Sequence, residues 1–406
     1  MRKALFLLLV TLPLGAQSLT LLGAGAPLAA PTGYLHYYAI TTAALQEGLS
    51  NSLNFPVCVS TVASVGCNVT TDISANLATV AHSGYVQNTV TQTGGNGGTE
   101  PADAVFGTSS TCSTLLPWET ETYNATTGAW IAHVQIPTLH YLTQDIFYLC
   151  FDQAAVTTQQ NTGSYAPSAV WDTNYKGVWH LNQGGGATSN DSTINGNNGT
   201  NTNTSNTTSG LFGNATKFGV NAGDSSYITT SLTVPAGTIP GTFSVWSYFT
   251  SFAGYAMAPI GWLNVNNYPF GYGIGGDGLY NTGSPYVFAT MQYTYNGFNT
   301  TLQNPVSTGQ WYYLTFTATK TTGTATGILY VNGVQIASYT GAADANPADT
   351  SSGNYLQISN GNYYGSVLGY EQEARFSITV RSANWITAEY NNQKASSTFL
   401  SAGTLH

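Results

Sequence analysis

The strip Val170-Trp171-Asp172-Thr173-Asn174-Tyr175-Lys176-Gly177-Val178-Trp179-His180-Leu181 divides this chain into two kinds of sequence. All four cysteines, Cys58, Cys67, Cys112 and Cys150, lie before it. After it runs a cysteine-free succession of short alternating segments. The strip gathers two tryptophans, a histidine and a lysine in a chain with only 8 Lys plus Arg among 406 residues. It opens directly into a Gly/Asn/Thr-rich run, Asn182 to Asn206. A change of character at this point reads as a seam between two modules, and the length fits two domains.

Both modules are written in strand periodicity. Trp118 to Tyr123 alternates, turns at Asn124 to Gly128, and returns through Ala129 to Ile136, which predicts a hairpin. Tyr34 to Ile40 is β-rich, Asn54 to Ser60 reads as a strand containing a proline, and Ile146 to Phe151 reads as a central strand. Residues 84 to 114 look like a long loop or insertion. Beyond the seam, Ile328 to Ala337 alternates about an Asn332-Gly333 pair, the strongest short hairpin signal. One short helix is predicted at 384–392, with Ser382 as its cap and Trp385, Ala388 and Glu389 on a shared face. Many short strands with Gly-rich turns imply an all-β fold of sandwich or jelly-roll type.

Composition limits the function classes. Charged residues are only 6% of the chain while aromatics are 13%, so it has core-forming residues and is not a disordered segment. A net charge of −9 and the lack of any Lys/Arg run exclude nucleic-acid binding. Arg2 and Lys3 followed by the apolar stretch Ala4 to Leu14 predict a signal peptide over 1–17. No later apolar run is long enough to span a bilayer as a helix. An exported chain with an even set of cysteines predicts two disulfides among Cys58, Cys67, Cys112 and Cys150, with three connectivities open.

The seam strip resembles the entry to a laminin-G-like (concanavalin A-like) domain. Further blocks in the same order strengthen the resemblance: Asp191 to Thr200, Gly223 to Ile228, Thr242 to Tyr248, Gln310 to Phe316, Ile328 to Ala337, Tyr370 to Ser377 and Arg381 to Gln393. Before the seam, Phe55-Pro56-Val57, the Trp118 to Ile136 hairpin and Asp145 to Phe151 are similar to a small β-domain of unknown function. That domain is paired with laminin-G-like domains in secreted bacterial surface proteins. The fold expected is therefore a small disulfide-bearing β-sandwich over 30–167, then a concanavalin A-like jelly-roll sandwich over 168–400. The resemblance also implies calcium, for which Asp191, Asn195, Asp224 and Glu373 are the candidate ligands. At Gln372 relatives carry Asp, and Gln is a neutral ligand.

Chemistry has few places to sit. Glu371 and Glu373 stand at i and i+2, which in a regular strand puts two carboxylates on one face about 7 Å apart. Paired carboxylates of that kind hydrolyse glycosides. Glu119 and Glu121 have the same spacing but read as a solvated strand face. The six histidines are scattered, with no H-x-H or H-x-x-x-H spacing to signal zinc, and His180 reads as packing between the modules. Between 252 and 298 aromatics alternate with Gly and Asn, a composition suited to stacking on sugar rings. Trp262, Tyr268, Tyr272 and Asp277 are the candidate ligand-binding residues, because Gly261, Gly271 and Gly276 place them near loops.

The reading is an exported, non-catalytic binding protein of the cell surface or medium, directed at an extracellular glycan or a surface protein. Its rivals are a glycan hydrolase using Glu371 and Glu373, and a structural or adhesive module of the envelope.

Overall fold

Strand Gly241–Phe249 shows how the architecture is built. Phe243, Val245 and Phe249 point into one core, and Trp246 into another on the opposite face. Both faces of this strand are buried, so something covers the sheet on its outer side. The computed structural model describes residues 33–44, 51–183, 185–207, 210–219, 225–233, 241–252, 256–262, 272–277, 285–290, 303–321, 324–342, 355–359 and 366–406. The expected signal segment 1–17 lies outside the described residues.

The C-terminal half is a sandwich of two eight-stranded sheets. One runs in the order Ser205–Thr207, Ala215–Phe218, Gly369–Ser377, Gly241–Phe249, Trp311–Thr321, Thr324–Val331, Val334–Ala342. Its eighth strand, Tyr175–Trp179 from the seam, pairs with the later half of Gly369–Ser377. The second sheet includes Ala256–Trp262, Tyr272–Asp277 and Tyr286–Thr290. Between the sheets lie Trp179, Phe218, Phe243, Trp262, Phe316 and Phe376 with their neighbours. The Asn332-Gly333 turn has φ of +53° and +77°, the doubly positive pair that a two-residue hairpin demands. A Cβ at Gly333 would meet Tyr390 Cβ at 3.0 Å, so the turn seats directly on the helix above it.

That helix, Ala383–Gln393, begins where the sequence predicts. The Ser382 hydroxyl accepts from Trp385 N–H, and Trp385, Ala388 and Glu389 are all buried. The helix covers the outer face of the first sheet, where Trp246, Tyr313, Tyr330 and Ile386 meet. The N-terminal strands cover the rest. A three-stranded sheet of Ser52–Ser60, Trp130–Leu139 and Trp118–Tyr123 lies beside a four-stranded sheet of Leu400–Ala402, His36–Thr42, Ile146–Phe151 and Ala104–Gly107. Pro56 sits on an edge strand, which leaves its missing N–H without cost. The core of these sheets takes in Val170, Trp171 and Val178 from the seam and Trp385 from the helix.

One expectation is corrected here. Residues 84–114 are not one loop, because Thr89–Gln92 pairs with Gly98–Pro101 and Ala104–Gly107 joins the four-stranded sheet. Residues 400–406 also join these sheets. Leu400–Ala402 pairs with His36–Thr42, and His406 exchanges backbone hydrogen bonds with Tyr37. Residues Tyr34–His406 thus form one unit. Among the described residues, no helix is long and apolar enough to cross a membrane.

All four cysteines are paired, Cys58 with Cys67 and Cys112 with Cys150. Phe212 from the jelly roll packs on the first of these bridges. A Cβ at Gly66 would lie 2.5 Å from the Phe212 ring, so this close approach requires glycine. The bridges close loops with sequence separations of 9 and 38. On chain entropy alone, replacing Cys112 and Cys150 by Ala lowers stability by about 4 kcal/mol, and replacing Cys58 and Cys67 by about 3 kcal/mol. Guanidinium unfolding of the two double variants measures both losses and their order.

Candidate functional site

Two irregular strands, one from each half of the chain, aim acidic side chains at one point. In the N-terminal sheet Thr120 pairs with Ala132 and Thr122 with Ile131, so Glu121 has no opposite number. In the jelly roll Arg375 pairs with Ser244 and Gln372 with Trp246, so Glu373 and Ala374 together oppose Val245. Both are β-bulges, which redirect a side chain by breaking the period of two. Glu373 has φ of +56°, a left-handed conformation that costs energy in a residue with a Cβ. Its N–H donates to the His180 carbonyl at 3.3 Å, which fixes the bulge against the end of the seam strand.

The bulge also separates the two carboxylates expected on one face. Glu371 accepts from the Ser247 hydroxyl at 3.1 Å, and Ser247 shares its strand face with Val245 and Phe249, the face of the jelly-roll core. Glu373 is turned the other way, toward the N-terminal sheet. The pairing of Glu371 and Glu373 expected from i, i+2 spacing is therefore not formed.

Around Glu373 lies a group that the sequence does not bring together. His180 Nδ1 is 2.6 Å from Glu373 Oε1, and His133 Nε2 is 3.2 Å from Glu121 Oε2 and 4.0 Å from Glu373 Oε1. The two imidazoles stack at 4.6 Å. Glu121, His133, His180 and Glu373 each present one ligand-type atom, all within 4.8 Å of one another, and all four residues are buried. Glu119 and Glu121 are 0% and 3% exposed, so the expected solvated face is instead the floor of this cluster. His180 does lie between the halves, as expected, but in an ionic contact.

Further groups fix the first four. Glu119 accepts from Trp171 Nε1 at 2.8 Å, Ser192 Oγ at 2.6 Å and Asn96 N at 2.6 Å. One of its oxygens lies 3.4 Å from His180 Nε2. Arg375 donates to Glu373 and, at 2.9 Å, to Glu389, and its guanidinium lies 4.9 Å from the Trp171 ring centre. Glu389 also accepts from Tyr175 and Tyr313 hydroxyls.

Protonation follows from these neighbours. Burial, then repulsion from Glu373, pushes the Glu121 carboxyl well up. Burial holds His133 well below the usual imidazole range. Against burial, Glu373 and Glu119 hold His180 well above it. Glu373 is held far below the carboxylate range, against burial, by His180, Arg375 and His133. A charged pair, His180 with Glu373, thus adjoins a neutral pair, His133 with Glu121. With no exposure, such groups can hold a proton or a metal but cannot touch a polymeric substrate.

The other expected site residues go elsewhere. Trp262 is 1% exposed and packs edge-on against Phe243 and Phe376, so it belongs to the core and not to a sugar-stacking surface. Tyr268 and Asp224 lie outside the described residues. Tyr272 and Asp277 begin and end one strand. Both Asp191 oxygens are filled by donors: Val178 N, Thr193 N, Thr193 Oγ1 and Asn197 N. Asn195 is exposed and its amide donates to the Tyr175 carbonyl. Asp191 and Asn195 therefore serve as turn anchors, while Glu373 joins the buried group.

Residues 221–387 match the family model described as the concanavalin A-like lectin/glucanases superfamily. The C-terminal half carries a laminin-G-like, concanavalin A-like domain, with an extra β region before it. No curated protein matches the sequence. Among solved structures, the chain is similar to domain 4 of AbnA, a GH43 extracellular arabinanase from Geobacillus stearothermophilus, in complex with arabinotriose. That match is 18% identical over 53% of this chain and 97% of the other, with a TM-score of 0.36. The binding domain of botulinum neurotoxin DC in complex with rat synaptotagmin II is 12% identical, over 54% of this chain and 51% of the other, with a TM-score of 0.36. Trypanosoma rangeli sialidase in complex with sialic acid is 10% identical, over 67% and 44%, with a TM-score of 0.37. The chain spans about half the length of these last two.

Beside the cluster, Glu100 accepts from Thr120 Oγ1 and Asn161 Nδ2, and burial pushes its carboxyl up to about 7 from an ordinary 4.5. The unfolded chain then loses this proton at lower pH than the folded one. Stability from this group falls as pH rises from 4.5 through 7 and is level above, a loss of about 3 kcal/mol. Glu100→Gln cannot ionise and lacks that loss. Thermal unfolding at pH 5 and pH 8 should show a smaller drop in the variant than in the parent chain.

Proposed function

We propose that this chain is an exported, non-catalytic binding protein whose jelly roll recognises an extracellular glycan or a surface partner. The observation that carries this reading is the burial of the carboxylates that hydrolysis would need. The lectin/glucanase architecture serves either binding or cleavage, and cleavage requires two carboxyl groups flanking a bound sugar. Glu371 and Glu373 are both 0% exposed and turn to opposite faces of their sheet. Glu119 and Glu121 are sealed beneath the same sheet. Among the described residues, these glutamate pairs are therefore closed to a bound sugar, which favours binding over cleavage.

Two closed disulfides support an oxidising, extracellular setting. A low-charge surface rich in hydroxyl and amide side chains suits hydrogen bonding to sugars. The ligand face is assigned to the second sheet, where Tyr272 and Asp277 bound one strand and Tyr286 begins its neighbour. Calcium stays in the proposal through Asp224 alone of the expected ligands, since Asp191, Asn195 and Glu373 are engaged elsewhere.

A glycan array probed with the protein, with and without calcium and with product analysis of every hit, tests the reading. Retention without cleavage is expected; released products would overturn it. Binding to cell surfaces but to no isolated glycan would select the protein partner over the sugar. Burial pushes the Glu371 carboxyl well up, only partly offset by the Ser247 hydroxyl, which favours its neutral form. Glu371→Gln should therefore change stability by less than about 1 kcal/mol and leave retention unchanged, whereas a hydrolase would lose turnover.

A further inference from the structure

We propose that Glu121, His133, His180 and Glu373 bind one divalent transition metal, zinc by its donor chemistry, which joins the N-terminal β region to the jelly roll. The inference stands on the buried group alone and does not depend on what the jelly roll recognises.

The donor set is the first argument. Two imidazole nitrogens and two carboxylate oxygens are all ligand types that zinc takes, and four of them fill its tetrahedron. Calcium, which takes six or more oxygens, does not fit two imidazoles. Geometry is the second. Bonds of about 2.0–2.2 Å in a tetrahedron set ligand atoms about 3.4 Å apart. The four atoms here lie within 4.8 Å of one another, and His133 Nε2 is 3.2 Å and 4.0 Å from its two carboxylate neighbours. To admit an ion, the His180 Nδ1 to Glu373 Oε1 contact, at 2.6 Å, has to open by less than 1 Å, and the wider pairs, at up to 4.8 Å, have to close.

The far nitrogens supply an independent argument. Among the described residues, His133 Nδ1 and His180 Nε2 are buried and make no hydrogen bond. A histidine that ligates through Nδ1 must carry its proton on Nε2, and such a proton is characteristically given to a carboxylate. For His180 that carboxylate is in place: Glu119 Oε2 is 3.4 Å away, and Glu119 is fixed by Trp171, Ser192 and the Asn96 amide. Four carboxyl groups, Glu119, Glu121, Glu373 and Glu389, are gathered here almost without solvent, and a bound dication would release protons from the ligands that take it. Both bulges aim ligands at this point, one from each half, so the metal would be a staple between the two.

The site has no exposed ligand, so the ion enters as the halves close and leaves when they open. The test is metal analysis of the full chain after dialysis against EDTA under native conditions. About one zinc per chain is expected, released only on unfolding with the chelator present. Refolding with cobalt(II) should give the visible bands of a tetrahedral site. Glu121→Gln and His180→Gln should each lower metal content roughly tenfold or more in soluble, disulfide-bonded protein. Because these variants risk misfolding, the parent chain is also refolded with EDTA alone or with zinc. A higher melting temperature with zinc supports the staple. Folded parent protein holding less than about a tenth of a metal per chain, with the same melting temperature after either refolding, would overturn it. Metal content unchanged in both variants would do the same.

Discussion

Arg375 is 1% exposed, and a guanidinium with no water around it must find its counter-charges within the protein. One comes from Glu373 on its own strand and the other from Glu389 on the covering helix. Trp171, from the seam, lies against its flat face. Arg381 repeats the arrangement, donating to Asp172 of the seam while lying over Tyr175 and Trp385. Strand, helix and seam are thus fixed to one another by two buried cations before any apolar packing is counted. The outer face of the jelly-roll sheet is an ionic layer, and the N-terminal strands are shaped to close over it.

That layer explains the irregularities in the strands. A regular Gly369–Ser377 strand would put Glu371, Glu373 and Arg375 on one face together. The extra residue at Glu373 sends Glu371 into the sandwich and keeps Glu373 with Arg375. The bulge at Glu121 does the matching work from the opposite sheet. Strain of this kind persists only where the surroundings dictate it, and here they are four carboxyl groups, two imidazoles and a guanidinium in one dry space. Six of the chain's seven glutamates are buried, so a sequence poor in charge has spent most of its acid inside.

Local features were legible in the sequence because local chemistry decides them. Asn332-Gly333 needs only its own backbone preference, Ser382 needs only the first turn of the helix, and Trp118 to Ile136 closes through the Asn124 turn. The order of blocks after the seam likewise carried the fold. The buried cluster was not legible, since His180 and Glu373 stand 193 residues apart and meet through packing. The period of two that marked the strands actively misled at Glu121 and Glu373, where bulges reverse the face. Asp191 shows the converse: a loop carboxylate that resembles a metal ligand is filled by the amides of its own turn. Trp262 stands close to a glycine, but its strand carries it between the sheets.

The pairing of Leu400–Ala402 with His36–Thr42 sets an order in time. Leu400 is wholly buried in the N-terminal core, and Asn392 closes two hydrogen bonds on Cys58 across 334 residues. The N-terminal β region is therefore completed only after the jelly roll has been made. Its sheet waits with an open edge, and the carboxylates of its strands wait unmatched, until Leu400–Ala402 and the helix before it arrive. Contacts of such long range slow folding and lengthen exposure to misassociation. The disulfide between Cys58 and Cys67 needs none of those distant partners, and can hold one corner of the early region in shape through the interval.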